Sequence, residues 1–222
     1  MEISSVVKTY DFKGMLCREG TMDEHVVREM STYRVEEMTP GWTVLDLGAH
    51  IGAFTRRVIL TNGGRVIAVE PNPDNWAMFS ANWARLPDPS VVTAYNAAAV
   101  MGEQEPIELF LNNGKNTGSH SIKPYKRRAS ITVQTVNLAD LLSAFSPDAI
   151  KMDVEGAEYE LLTPPLPQCV VWLAIEIHRN IPGSGKEKSI LLDEHIRSQG
   201  FKLDRPVNIT GGAWCVTGVY RR

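Results

Sequence analysis

Two hydrophobic rhythms alternate along this chain. TVLDL (43–47) and RVIAVE (65–70) are short β-branched runs that read as buried strands. Each is followed by apolar residues at helical spacing, GAFTRRVILT after the first and PDNWAMFSANWARL after the second, with Pro73 in the first turn of the latter. VVTAYN (91–96), IELFL (107–111), ITVQTV (131–136), AIKMDVE (149–155) and VVWLAIEIH (170–178) continue the strand series. NLADLLSAF, with Asn137 at its start, GAEYELL and a segment from Lys186 to Gln199 that stops at Gly200 read as helices. FKLDR and AWCVTGVY close the chain as strands around a turn at Gly211-Gly212, an antiparallel addition. Upstream, Met22, Val26, Met30 and Tyr33 are spaced by three and four, which predicts a helix over 22–38 with Thr21 or Asp23 as its N-cap and Pro40-Gly41 as its end. Strands alternating with helices predict an α/β domain, a mostly parallel sheet covered on both faces, over 41–222 behind a helical extension over 1–40.

One stretch breaks the rhythm. The polar residues from Asn112 to Ser130 are too many for an ordinary connection, so they read as a substrate lid or as disorder. They include the basic cluster KPYKRR, Lys123 to Arg128, which can steer an anionic substrate or contact phosphates. The rest of the composition is ordinary: 222 residues, 43% hydrophobic, 22% charged, net charge −3. That excludes a strongly basic nucleic-acid binder. Three cysteines in no paired spacing suit a reducing compartment, so a cytoplasmic protein is expected. The N-terminus does not look like a signal peptide, and no run approaches the roughly 20 apolar residues of a membrane span.

The chemistry starts at VLDLGAHIGAFT, Val44 to Thr55, where a strand passes through glycines into a helix. A dinucleotide fingerprint needs GxGxxG here, and Gly48-Ala49-His50-Ile51-Gly52 lacks that spacing. Instead Asp46 precedes the first glycine and Glu70 ends the next strand. This D-x-G-x-x-x-G arrangement resembles the nucleoside-binding half of Rossmann-like S-adenosylmethionine-dependent methyltransferases. Such a ligand has no pyrophosphate to cradle; it needs a close turn and a carboxylate facing its ribose hydroxyls, which Glu70 at a strand end can provide. Asp46 is placed to meet the ligand's ammonium, directly or through water.

IKMDVEGAEYELL, Ile150 to Leu162, sits where such sheets place substrate. Together with VLDLGAHIGAFT and VIAVEPNP, in this order over roughly 40–180, it makes the chain resemble the FkbM-type methyltransferases. The resemblance implies a Rossmann-like class I fold, a mostly parallel seven-stranded sheet with an antiparallel last strand. It implies S-adenosylmethionine as cofactor, held by Asp46, Gly48, Ala49, His50, Gly52, Phe54, Glu70, Pro71, Asn72 and Asp153. Trp76 beside Phe54 is a further aromatic for the adenosine or sulfonium. The implied activity is methylation of a hydroxyl on a sugar, polyketide or related small molecule.

A hydroxyl acceptor needs a base within hydrogen-bond reach. Asp153 and His178, each ending a strand on the same edge, are the first two candidates, with Glu155 beside them. Asp153, Glu176 and His178 also have the chemistry to hold a magnesium ion that acidifies the acceptor. Glu158 is read either as an acceptor contact or as a first-turn acid facing the helix dipole. Lys151 alternates with Asp153 and is expected to form an ion pair, with Glu176 as a further partner for it. In the long loop, Asn116, Ser119 and His120 are expected near the acceptor. An RNA ribose hydroxyl is the alternative acceptor, NAD-dependent oxidation an alternative reaction, a pocket without catalysis a third reading, and a second subunit completing the site is left open.

Overall fold

The computed structural model describes residues 7–112, 114–204 and 214–222. Seven strands form the central sheet in the order β12-β13-β11-β10-β3-β4-β5. They are β3 (Thr43–Leu47), β4 (Arg65–Val69), β5 (Val92–Tyr95), β10 (Ala149–Met152), β11 (Trp172–His178), β12 (Lys202–Leu203) and β13 (Cys215–Arg221). β5, β4, β3, β10 and β11 are parallel, while β13 runs antiparallel between β11 and β12. The parallel strands read as near-continuous apolar runs because both of their faces are buried. One face carries Leu45, Leu47, Ile67, Ile150, Met152, Leu173 and Ile175; the other carries Val44, Val66, Ala68, Ala149, Trp172 and Ala174.

Helices α2 (Ala53–Asn62), α3 (Pro73–Trp83), α4 (Leu138–Phe145), α5 (Glu158–Leu161) and α6 (Lys186–Ser198) follow the strands in the expected places. Asn137 caps α4 by accepting from the Ala139 N–H at 2.8 Å, as its position in the sequence predicts. The turn expected at Gly211-Gly212 lies outside the described residues.

The N-terminal extension differs from the helix predicted for it. It opens with a hairpin, β1 (Thr9–Phe12) against β2 (Met15–Arg18), and α1 spans only Asp23–Glu29. Two 3₁₀ turns follow, separated by Arg34 in the left-handed conformation at φ 53°, which breaks the expected helix. Neither Thr21 nor Asp23 caps α1: the N-cap position is Met22 and has no side-chain bond. Met15, Cys17, Met30, Tyr33, Val35 and Met38 are buried in the same core as Phe54 and Trp172, so the extension is a cap on the sheet. Arg34 and Arg221 both pair with Glu37 and Asp204, tying the cap to β13.

A second departure concerns the segment between β5 and α4. β6 (Ala98–Val100) pairs in parallel with β9 (Thr135–Asn137), and β7 (Ile107–Phe110) pairs with β8 (Ser130–Val133). The long polar loop is therefore the end of a hairpin, folded back through a bridge between Phe110 and Ser121.

Candidate active site

The turn after β3 is left-handed at three places: Gly48 at φ 77°, His50 at φ 52° and Gly52 at φ 87°. A Cβ on Gly48 would fall 1.8 Å from the carbonyl oxygen of Asp153, and one on Gly52 would press on the Phe79 ring at 3.0 Å. The first glycine thus lets two strand ends meet, and the second lets α2 close on α3. Glu70, just beyond β4, receives this turn. Its Oε2 accepts the His50 backbone N–H at 2.8 Å and its Oε1 accepts that of Asn72 at 2.9 Å. Burial pushes the Glu70 carboxyl up to about 7 against those hydrogen bonds.

Glu70 lines a cavity with Ala49, His50, Phe54, Pro71 and Asn75 on one side. Apolar walls come from Val69, Ala98, Leu109 and Ile122, and Asp153 and Glu155 stand at the far end. Gly118 and His120 of the long loop cover it. Burial, followed by the charges of Arg18 and Arg128, pushes His120 down to about 4, and its Nδ1 accepts the Asn112 backbone N–H at 3.0 Å.

Beneath the turn lies a buried charge cluster. Lys151 Nζ donates to the Gly48 carbonyl at 2.6 Å and sits 3.4 Å from Asp46 Oδ1 and 3.8 Å from Asp153 Oδ2. Burial opposes its charge, but Asp46 and Asp153 outweigh that and hold the ammonium protonated. Thr55 donates to Asp46 Oδ2 at 2.7 Å, and the Tyr33 hydroxyl reaches Asp153 at 3.3 Å.

The far edge of the cavity is built by the turn after β10 and the end of β11. Glu155 is left-handed at φ 50°, and Ser121 Oγ donates to its carbonyl at 2.5 Å. Its carboxylate lies 3.4 Å from His178 Nε2, while His178 Nδ1 lies 3.4 Å from Glu158. Burial works against an imidazolium there, yet the two glutamates hold His178 well above its ordinary value. Asp153, Glu176 and His178 bring one ligand atom each to within 4.8 Å of one another. The Asp153 charge, and then burial, pushes Glu176 up to about 7.

Several residues do less at the cavity than the sequence led us to expect. Asp46 is fully buried under the turn and faces Lys151 and Thr55, so it does not reach the cavity. Asn72 spends its side chain capping α3, accepting from Asp74 and Asn75 N–H groups, and Asn75 takes the lining position instead. Trp76 stacks on Phe79 at 5.5 Å, and Gly52 packs on the same ring. Ser119 bonds to the Asn112 side chain and its carbonyl accepts from Arg128; neither it nor Asn116 lines the cavity. Glu158 has no surface for an acceptor: it is fully buried and its oxygens accept the N–H groups of Gly156 and His178, both at 2.7 Å. Lys151 pairs with Asp46 and Asp153; no ion pair joins it to Glu176 among the described residues. Asn75 and Tyr33 carry no motif signal in the sequence and enter only through the fold.

A sheet of this order, with a buried acid just beyond β4 and carboxylates at the ends of β10 and β11, is the Rossmann-like architecture that the sequence resemblance implied. The domain model of the methyltransferase FkbM domain matches residues 46–203, and the chain belongs to that family. It is 28% identical over 179 residues to the hexuronic acid methyltransferase AglP of Haloferax volcanii, covering 77% of this chain and 70% of the relative. Its fold is similar to precorrin-6y C5,15-methyltransferase from Geobacter metallireducens (TM-score 0.52, 11% identity, 93% of this chain and 92% of the other). It is also similar to the fibrillarin pre-rRNA processing protein of Methanococcus jannaschii (TM-score 0.51, 14% identity, 97% and 82%). Among the described residues, no helix is long and apolar enough to cross a membrane.

Proposed function

We propose that this methyltransferase acts on a hydroxyl of a sugar acid, with the donor in the cavity between Glu70 and Asp153. The observation that carries the reading is the carboxylate pair Asp153 and Glu176 at the strand ends, one of them lining the cavity. The relative that methylates a hexuronic acid supports the acceptor class. The donor supplies an electrophilic methyl on a sulfonium sulfur. The cavity fits a nucleoside: Glu70 Oε2, which accepts only the His50 N–H, keeps a lone pair for one ribose hydroxyl, while Oε1 is taken by the Asn72 N–H and by Asn75 Nδ2 at 3.4 Å, and the walls are apolar.

Glu176 takes the proton of the acceptor hydroxyl. Its carboxyl titrates near neutrality because Asp153 stands beside it, which suits a general base. Asp153 orients the hydroxyl, held in place by Lys151 and Tyr33. His178 plays a different part from the base first assigned to it: as an imidazolium locked between Glu155 and Glu158, it has no free lone pair to accept a proton. Glu155 is its counter-charge on the cavity side. A carboxylate on the acceptor would be met by the basic loop, where the Arg128 guanidinium is stacked 3.7 Å above the Tyr125 ring.

A magnesium ion fits this set poorly. It takes oxygen ligands, and the third group within reach is a nitrogen ligand, the His178 ring, flanked by two glutamates at 3.4 Å.

The test is methyl transfer from labelled S-adenosylmethionine to a panel of uronic acid glycosides, neutral hexosides and RNA, with and without chelator. Transfer to the uronic acids that survives chelation is the expected result. Labelling of RNA alone, or of no hydroxyl acceptor, overturns the acceptor assignment.

A further inference from the structure

A chain of side chains, all buried except the half-buried Thr117, runs from the cap into the donor cavity. Asp23 at the start of α1 is fully buried and receives Arg18 through Nε at 2.8 Å and Nη2 at 2.9 Å. Thr117 of the long loop donates from Oγ1 to Asp23 Oδ1 at 2.8 Å, and the same oxygen lies 2.9 Å from His50 Nε2. Asn75 completes the frame, accepting from Arg18 at 2.7 Å and donating to the Thr117 carbonyl at 2.8 Å.

Counting protons along this chain fixes the state of its last member. Burial raises the Asp23 carboxyl, but the Arg18 hydrogen bonds prevail and leave it below its ordinary value, so it only accepts. A threonine hydroxyl has one proton, and the charged carboxylate is the stronger claimant for it. The Thr117 oxygen then has only lone pairs to offer His50, so the His50 proton sits on Nε2. Burial pushes His50 down to about 4, which keeps the ring neutral with one N–H. Nδ1 is therefore a bare acceptor. It is buried, it has no hydrogen-bond partner among the described residues, and its ring lines the cavity.

We propose that His50 accepts a hydrogen bond at Nδ1 from a ribose hydroxyl of the methyl donor, in a tautomer imposed by Asp23 and Thr117. This rests on the nucleoside reading of the cavity. The ribose is the part in question because the His50 backbone N–H is bonded to Glu70, so the carboxylate from the end of β4 is anchored on the residue that carries the ring. Neither Asp23 nor Thr117 belongs to the nucleoside half of the sheet. One comes from the cap and the other from the loop 114–121, which is also tied to the cap through the Met22 N–H and the Lys115 carbonyl at 3.0 Å. The loop thus sets the hydrogen-bonding character of a donor-site residue.

The experiment is nitrogen-15 NMR of histidine-labelled protein, alone and with S-adenosylhomocysteine or methylthioadenosine, joined to calorimetry on Thr117→Val. The expected result is a neutral His50 protonated at Nε2, with an Nδ1 resonance that shifts on binding of both ligands. Thr117→Val mixes the tautomers and weakens both ligands by about 5- to 10-fold, the scale of one neutral hydrogen bond. Methylthioadenosine keeps the ribose and lacks the ammonium, so a loss confined to S-adenosylhomocysteine overturns the ribose assignment. A proton on Nδ1 in the parent protein overturns the proposal without any variant. Failure of the parent to bind either nucleoside overturns the donor-site reading, and this proposal with it.

Discussion

Glu158 engages His178 twice with one oxygen: Oε1 accepts the His178 backbone N–H at 2.7 Å and lies 3.4 Å from ring Nδ1. The other oxygen takes the Gly156 N–H, so a single buried carboxylate ties the turn after β10 to the end of β11. Replacing it with an amide sets an NH₂ against one of those N–H groups. Glu158→Gln should cost about 3 kcal/mol, the range for buried hydrogen bonds to a charge. Urea unfolding measures this, and a midpoint equal to the parent's would show that the carboxylate does not hold the two strand ends.

The base assignment has its own pH signature. With Glu176 titrating at about 7, kcat should rise with pH through neutrality and level off above it. Glu176→Gln should lower kcat by about 10²- to 10⁴-fold, the usual weight of a general base, and leave S-adenosylhomocysteine affinity unchanged. A pH-independent rate between 5.5 and 8.5, as about the span over which such a group titrates, would assign the proton to another group.

Glu70 links pH to both stability and binding. Its folded value of about 7 lies above the ordinary 4.5, so its contribution to stability is complete below 4.5 and is lost as pH rises through 7. The thermal midpoint of the ligand-free protein should therefore fall between these pH values. Ionised carboxylate is the better acceptor for a ribose hydroxyl, so S-adenosylhomocysteine affinity should rise over the same window. Calorimetry across pH on the parent and on Glu70→Ala separates this group from the rest: the variant should bind weakly at every pH.

Lys151 stands between two carboxylates, 3.4 Å from Asp46 and 3.8 Å from Asp153. Lys151→Met leaves Asp46 and Asp153 facing each other and should destabilise the fold by about 3–5 kcal/mol, as removal of one member of a buried pair does. Adding Asp46→Asn should recover part of that loss. Denaturant curves of the single and double variants measure the coupling.

The main sheet was legible because parallel strands buried on both faces leave unbroken apolar runs such as VVWLAIEIH. The cap was not: Met22, Val26, Met30 and Tyr33 keep helical spacing, but Arg34 turns left-handed and the spacing alone carries no trace of it. Glu70, Asp153 and His178 could be named as candidates because sheets of this kind bind ligands at their strand ends, and the first two line the cavity. Their roles were harder to read. Whether a histidine is a base or a locked cation depends on the carboxylates packed around it, and Glu155 and Glu158 meet His178 only after β10 and β11 pair. The role of Thr117 was invisible for the same reason: its partners, Asp23 and His50, are 94 and 67 residues away.

β13 follows β12 in the chain but lies between β12 and β11. During synthesis, then, β11 waits beside an open edge until residues 215–221 have left the ribosome. It is the most apolar strand of the sheet, and an unpaired edge of that kind recruits strands from other chains. Truncation within this last strand should accordingly appear as inclusion bodies, and a holding chaperone should matter most for the nascent chain that has just completed α6.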